Sequence, residues 1–454
     1  MKKFLIVIGF SPIFLLLSFY SNNTALQKSL ESFLADETDD LTAFYKGLHQ
    51  NPELSLEEKN TSKKLAAELK ELGFEVTENF GGYGVVGIFK NGDGPKILYR
   101  TDMDALPVEE KTGLEYASTY KTPNPWDNNN ETFTMHACGH DMHMTVWTGV
   151  ARAMVEMKDQ WKGTLMMIGQ PAEEIGQGAR LMLEAGLYDK FFVPDFGLAL
   201  HASPTIANGK VGMDEGYSMA AVESVDINIY GYGAHGASPH MSVDPVVLAS
   251  MIVMDLQTIV SRNLKPIDDA VITVGSMHGG TKHNIIPDEV KLQLTIRTYT
   301  QEVRDLIHRR IKEICDGVAM AAGMPEELYP RVSKLDQFTP ANYNHPGLIE
   351  RIRQSSVKAI GAENVESAEP QMVGEDFSRY GSTDEKVPTV LFWLGTVPDD
   401  RMKAEAEDGY RLPALHSPFY YPEPKPSIQT GVKVVSTALI DLFGNDKIEV
   451  TNED

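Results

Sequence analysis

The sequence predicts an α/β protein: a doubly wound, mostly parallel sheet interrupted by an inserted α+β module of ferredoxin-like order. Three observations predict it. Short, nearly continuous apolar runs alternate with helical stretches, as strands buried on both faces of a parallel sheet require. Between about Met219 and Lys334 this pattern gives way to alternating strands in the order β-α-β-β-α-β. A run of the first type then returns at Thr389 to Leu394, so the module interrupts the first domain instead of following it.

The elements follow in chain order. Met1-Lys2-Lys3 precedes a mostly apolar run from Phe4 to Tyr20, the charged and hydrophobic regions of a secretory leader, assigned here to residues 1–25. The expectation is an exported protein, periplasmic or secreted. Ser21 and Ala25 are the small residues available before a cut; an uncleaved anchor is the alternative, although the run is short for a span and Pro12 breaks it. Asp36-Glu37-Thr38-Asp39-Asp40 reads as a solvated lead-in. From about Leu41 to Phe74 the apolar spacing is helical and closes at Gly73. Lys96 to Arg100, Thr164 to Gly169 and Phe196 to Leu200 read as buried strands, and with Thr389 to Leu394 they make 26–218 and 335–454 one domain. The inserted module, 219–334, comprises strand Val222 to Tyr230, a helix opening at Asp244-Pro245, strands Ala270 to Met277 and Glu289 to Thr298, a helix from Gln301 and a strand near Leu328.

Composition narrows the function. With 454 residues the chain is long enough for two or three domains of roughly 150 residues each. Lys and Arg total 41 against 64 Asp and Glu, a net charge of −23, which repels phosphate backbones and anionic membranes and argues against a nucleic-acid partner. Only Cys138 and Cys315 occur, so no disulfide framework is available. Cys315 lies in a helical pattern with Ile307, Ile311 and Ile314 and reads as a small core residue; Cys138 has very different neighbours.

In open α/β sheets, functional groups gather beyond the carboxyl ends of the strands. Here the strand ends are acidic or histidyl: Lys96 to Arg100 runs into Asp102 and Asp104, Thr164 to Gly169 into Glu173-Glu174, and Phe196 to Leu200 into His201. Between the first two lies Met135-His136-Ala137-Cys138-Gly139-His140-Asp141-Met142-His143, opening a helix that continues to about Met157. The positive end of that helix and an adjacent divalent ion would both lower the Cys138 thiol pKa, so that Cys138 and His140 offer sulfur and nitrogen ligands on a short glycine turn. Zinc accepts that mixture and manganese is favoured by the accompanying carboxylates. Adjacent Glu173 and Glu174 diverge, so one can bind metal while the other acts as a base toward substrate. Taken singly, each feature has an ordinary reading: a solvated Glu-Glu pair, a hydrogen-bonded His, aspartates capping a turn. Their joint appearance at consecutive strand ends favours chemistry.

Together these residues resemble the aminoacylase and carboxypeptidase group of two-metal hydrolases, in the branch of hippurate hydrolases, N-acyl-amino-acid amidohydrolases and indoleacetyl-amino-acid hydrolases. The resemblance spans roughly Leu41 to Leu442 and rests on Arg100-Thr101-Asp102-Met103-Asp104-Ala105-Leu106-Pro107, the Met135 to His143 cluster, Gln170-Pro171-Ala172-Glu173-Glu174, Gly233 to His240, Asn284-Ile285-Ile286-Pro287 and Gly374-Glu375-Asp376-Phe377. It implies two divalent ions, Mn or Zn, held by Cys138, His140, Glu174, His201 and His416, with Cys138 bridging and Glu173 as general base and acid. It further implies that His235 steadies the oxyanion, that Asn284 and Arg297 hold a substrate carboxylate, an arginine fork suiting that geometry, and that the inserted module is a lid through which a homodimer forms. His240, His278 and His283 are left without a role. The expected activity is hydrolysis of the amide bond of N-acyl amino acids or similar small conjugates. The alternatives are a dipeptidase or carboxypeptidase of the same group and a silent binding protein that kept the fold. Two departures bear on the acyl group: the long polar segment Lys121 to Glu131, expected to reshape the cleft entrance, and Ile175, which stands where a small residue is common.

Overall fold

The computed structural model describes residues 12–335 and 338–444, with side chains from residue 25 onward. Of the leader assigned to 1–25, residues 1–11 lie outside the described residues, and the rest begins helix α1 (Pro12–His49).

The apolar runs form an eight-stranded sheet from β1 (Glu75–Thr77), β2 (Val85–Asn91), β3 (Lys96–Asp102), β4 (Gly163–Gln170), β5 (Phe196–Ala207), β6 (Val211–Gly212), β11 (Val365–Glu366) and β12 (Thr389–Val397), in the order β1-β2-β4-β3-β5-β12-β6-β11. The central strands β4, β3, β5 and β12 are parallel, and β2 and β6 flank them antiparallel. Successive side chains of a strand point to opposite faces, and here both faces are apolar. Ile97, Tyr99, Leu165, Met167, Leu198, Leu200, Val390 and Phe392 pack under α1, α2 (Lys59–Glu71), α3 (His140–Glu156), α6 (Pro346–Ile360) and α7 (Pro424–Gly444). Their alternates Leu98, Met166, Ile168, Ala199, Leu391 and Trp393 pack against Met182, Tyr188 and Tyr380 on the other side. At roughly 1.5–3 kcal/mol per buried large apolar side chain, the two layers hold the sheet without disulfides.

The helical reading of Leu41 to Phe74 requires one correction, because a loop over 50–58 separates α1 from α2. Pro52 disfavours helix at the residue before it, and the Glu53 carboxylate accepts the amides of Asn60 and Thr61, both at 2.8 Å, so α2 starts afresh with its first donors satisfied.

The second sheet consists of β7 (Ala221–Tyr230), β8 (Ala270–Gly279), β9 (Glu289–Thr298) and β10 (Arg331–Lys334) in the order β8-β9-β7-β10, all antiparallel. The last strand falls beyond the expected Leu328, which lies in a 3-10 turn; Pro330 stands where the strand begins, the position a sheet tolerates. Helices α4 (Pro245–Thr258) and α5 (Gln301–Ala321) cover one face, each with its start capped by a side chain: Asp244 accepts from the amide of Val246, Thr300 from that of Val303. Ile227, Ile229, Leu292, Leu294, Leu248, Ile252, Ile307, Ile311 and Cys315 form its separate core.

Glu223 of β7 staples α5 to this sheet, accepting from Arg304 at 2.8 and 3.0 Å and from His308 at 2.6 Å. Burial opposes its charge, but the hydrogen bonds from His308 and Arg304 win and hold its acid at about 2 instead of 4.5. A depressed acid contributes stability above its unfolded value, lost as pH falls through its folded one. Thermal unfolding followed between pH 5 and 2 is expected to show this loss, and Glu223→Ala to cost about 3 kcal/mol at neutral pH.

Candidate metal centre

The chain leaves β3 for β4 on one side and then crosses to β5 on the other, so a crevice opens beyond the carboxyl end of β3. Four segments deliver side chains into it: the end of β3, the turn after β4, His201 within β5, and the start of α3. Gly139 makes the last possible, since its φ of 81° turns the chain between Cys138 and His140 and a Cβ there would lie 2.9 Å from that of Ala202. A fifth contribution comes from the loop before α7. His416 sits at φ 65° and donates its amide to Ala137 O at 2.8 Å, which pins it beside the Cys138 turn. Left-handed backbone at a non-glycine residue is strain that the surroundings must hold.

The donor atoms of Cys138, His140 and His201 lie within 4.8 Å of one another, as do those of Cys138, Glu174 and His416, and those of His140, Glu173 and Glu174. Cys138 Sγ is 3.6 Å from His201 Nε2, His140 Nε2 is 3.8 Å from Glu174 Oε1, and His416 Nε2 is 3.5 Å from Glu174 Oε2. The histidines are oriented from behind: Nδ1 of His140 faces Asp104 O at 2.7 Å and Nδ1 of His201 faces Ala202 O at 2.9 Å, leaving each Nε2 toward the cluster. His140 Nε2 and Glu174 Oε1 are buried and have no hydrogen-bond partner. An orphaned buried polar atom costs about 1–3 kcal/mol, and here two of them face a sulfur, two imidazoles and a carboxylate. That donor set fits divalent zinc or manganese.

His143 and the two aspartates act behind this layer. His143 Nε2 accepts the amide of Ala202 at 2.7 Å and its Nδ1 faces Asp102 Oδ1 at 2.7 Å, so neither nitrogen is free. Asp102 Oδ2 accepts from Arg100 at 2.8 Å. Asp104 accepts the amides of Glu173 and Glu174 at 3.1 and 3.0 Å and the Ser55 hydroxyl at 2.6 Å. The aspartates at the strand end thus brace the residues around the cluster, and Asp102 also forms a donor group with His140 and His143, within 4.8 Å of one another. Arg100, fully buried, also reaches Glu375 at 2.9 Å and Asp376 at 3.2 Å, neutralising carboxylates that would otherwise crowd Glu173. The sequence shows Arg100, Glu375 and Asp376 only as parts of motifs; the crossing of β3 with the loop before Ser378 that joins them is tertiary.

Charges follow this geometry. Burial, then His143, pushes His201 well below its usual range, which favours the neutral imidazole. Burial opposes a charge on His140, but Asp102, Asp104 and Glu174 raise it to about 10. Burial raises Glu174 to about 8, and burial followed by Glu375 raises Glu173 well above the carboxylate range. In the ion-free site, burial, then Glu174 and Glu173, pushes the Cys138 thiol well up, so the helix end alone does not lower it. Thiolate formation there has to accompany cation binding.

Above the cluster is a cavity of about 660 Å³, floored by Cys138, Glu173, Glu174, His201 and His416 and roofed by Val222, Ser224, Thr295 and Arg297 of the second sheet. Arg297 has no acidic partner among the described residues, and burial lowers its pKa. Ile175, Met372, Val373 and Leu415 make part of the wall apolar. His235 and Asn284 are not in this wall; they are exposed, on and beside the two-residue ladder pairing Ala234–His235 with Ile285–Ile286. The polar segment after Tyr120 forms a hairpin, Lys121–Asn124 with Asn130–Phe133, and contributes no residue to the cavity lining. A larger groove of about 1010 Å³ between α1, α2 and α3 is lined by Asp36, Glu37, Asp40 and Arg152 and holds none of the clustered donors.

Comparison with known proteins agrees with this geometry. The chain is 38% identical over 353 residues to the N-acetyl-L-cysteine deacetylase of Bacillus subtilis, covering 78% of this chain and 79% of that protein. It is 36% identical over 332 residues to the hippurate hydrolase of Campylobacter jejuni subsp. jejuni, covering 73% and 82%. Its fold superposes with a TM-score of 0.72 on the YXEP protein of Bacillus subtilis, described as a dinuclear metal binding peptidase from M20 family, at 27% identity and covering 91% of this chain and 99% of that one. The model of peptidase family M20/M25/M40 matches residues 98–416, the stretch from the first central strand to the last clustered histidine, and the chain belongs to that family.

Proposed function

We propose that the protein is a metal-dependent amidohydrolase that cleaves the amide bond of N-acyl amino acids. The observation that carries this reading is the convergence of Cys138, His140, Glu174, His201 and His416 beneath a cavity whose roof presents Arg297, which has no acidic partner among the described residues. Cys138, His140, Glu174, His201 and His416 would hold two divalent ions, which would supply Lewis acidity toward a water and the amide carbonyl. Glu173 accepts a proton on a carboxylate oxygen and delivers it to the leaving nitrogen. Its elevated acidity range suits a group that must hold that proton until the nitrogen takes it. Arg297 holds the carboxylate of the amino-acid half, and the apolar wall of Ile175, Met372, Val373 and Leu415 receives the acyl half.

Assay of the Mn- or Zn-loaded protein against N-acetyl and N-benzoyl amino acids, dipeptides with free amines and simple amides tests this. Turnover of the acyl amino acids is expected; turnover of the free-amine dipeptides alone would overturn it. Arg297→Ala is expected to raise KM for acyl amino acids by about 10- to 100-fold, the worth of a charge-assisted pair of roughly 1.5–3 kcal/mol, with little change for amides lacking a carboxylate.

Homodimer formation through the second sheet is part of the proposal. Support comes from α4, buried along Leu248, Ile252 and Leu256 but exposed at Val247 (53%), Met251 (46%) and Met254 (69%). His235 and Asn284 are exposed and lie outside the cavity wall, so both are assigned to a site completed by the second chain; full activity in a protein that sediments as a monomer would reject this. Export is proposed from the charged start and apolar run within residues 1–25.

A further inference from the structure

Two of the non-glycine residues in the left-handed region, Leu56 at φ 65° and Ala172 at φ 54°, donate their amides to one atom. That atom is Glu58 Oε1, at 2.9 Å from Leu56 N and 2.8 Å from Ala172 N. Glu58 is fully buried at the start of α2, and its other oxygen, Oε2, has no hydrogen-bond partner. A buried carboxyl that spends one oxygen on two strained backbone positions is doing something local. Ala172 is the residue before Glu173, and its carbonyl closes the following turn by accepting from Gln177 and Gly178, both at 3.1 Å. The next two amides, of Glu173 and Glu174, go to Asp104, which Ser55 braces from the Leu56 side. Three consecutive amides are therefore gripped by two buried carboxyl groups.

We infer that Glu58 is a positioning residue: by holding Ala172 in its left-handed conformation it sets the direction in which the Glu173 carboxylate enters the cavity. The inference rests on the reading of Glu173 as the proton-transferring group. An L-residue with a Cβ leaves the left-handed region when nothing restrains it, whereas glycine occupies it freely. Burial, then Asp104, raises the Glu58 acid to about 8, which makes a neutral amide the close mimic of the native group. A glutamine oxygen placed at Oε1 accepts from the same two amides.

The test compares Glu58→Ala, Glu58→Gln, Ala172→Gly and the double variant Glu58→Ala with Ala172→Gly, in the full metal-loaded chain. Readouts are kcat and KM on an N-acyl amino acid turned over by the parent, metal per chain, and thermal midpoint. Glu58→Ala is expected to lower kcat by about 30-fold or more, with KM within about threefold and metal content unchanged, because proton transfer depends steeply on geometry. Glu58→Gln should recover most of the parent kcat. In the Ala172→Gly background the Glu58→Ala loss should shrink by about tenfold, which a merely stabilising role would not produce. If Glu58→Ala does not fold, Glu58→Met, of similar length but without an acceptor, replaces it with the same expectations; failure of both to fold assigns Glu58 to stability and overturns the inference. A kcat for Glu58→Ala within threefold of the parent, or a loss unrelieved by either glutamine or the glycine background, also overturns it. An inactive metal-loaded parent removes the reading of Glu173 itself, and this inference with it, whereas an active parent with an equally active Glu58→Ala removes the inference alone.

Discussion

Glu173→Ala is expected to lower kcat by about 10²- to 10⁴-fold while KM and metal content stay near the parent's, the loss typical of removing a positioned general base. The geometry dictates the separation of effects. Glu173 Oε2 is 3.9 Å from His140 Nε2, but two of the donor groups, Cys138 with His140 and His201 and Cys138 with Glu174 and His416, form without it. Its surroundings serve proton handling: Arg100 offsets Glu375 and Asp376 behind it, and Asp104 fixes its amide. Steady-state kinetics with elemental analysis on the same preparation checks this, and unchanged kcat would remove Glu173 from the mechanism.

Cys138→Ala is expected to act in the opposite sense, by loss of metal. Cys138 is the one residue shared by the groups containing His201 and His416, so its removal weakens both positions at once. Apparent metal affinity should fall by at least about 100-fold, since even outer-layer partners of a metal site are worth 10- to 100-fold. His416→Ala, which touches one group only, should cost less, and at saturating metal it should regain more activity than Cys138→Ala. Titration of the metal-stripped variants checks the ranking. Because the thiol is held up by burial and by its glutamate neighbours, metal uptake should release a proton from Cys138, and uptake should therefore weaken as pH falls.

How much of this was legible in the sequence depends on whether a residue's job is set by its neighbours in the chain or across it. Cys138-Gly139-His140 is a local turn, and the residues and their spacing already suggest the donor cluster in which the structure places them. Glu173, Glu174 and His201 are legible because short apolar runs end at them. The two sheets were legible for the same reason: buried-run and alternating patterns differ within a few residues. His416 carries no such mark. It reaches the cluster through a left-handed backbone and an amide hydrogen bond to Ala137, with the whole inserted module lying between them in the chain, and only the resemblance points to it. Asp102 and Asp104 look like ligands from the strand end alone, yet Arg100, His143, Ser55 and two amides consume their oxygens. Glu58 reads as an ordinary acidic helix start, because the strained Ala172 that it restrains lies 114 residues away. The thiol of Cys138 shows the limit of a local argument: the helix end favours a thiolate, and in the ion-free site burial, then Glu174 and Glu173 from a distant turn, outweighs it.

The central claim is that five side chains from distant parts of the chain hold two cations in common. X-ray absorption on zinc-loaded protein, with metal counted per chain, tests it most directly. The account predicts two zinc ions per chain, each with a sulfur neighbour at about 2.3 Å, and loss of that sulfur signal in Cys138→Ser. A single ion per chain, or a zinc environment of nitrogen and oxygen only in the parent protein, would contradict it.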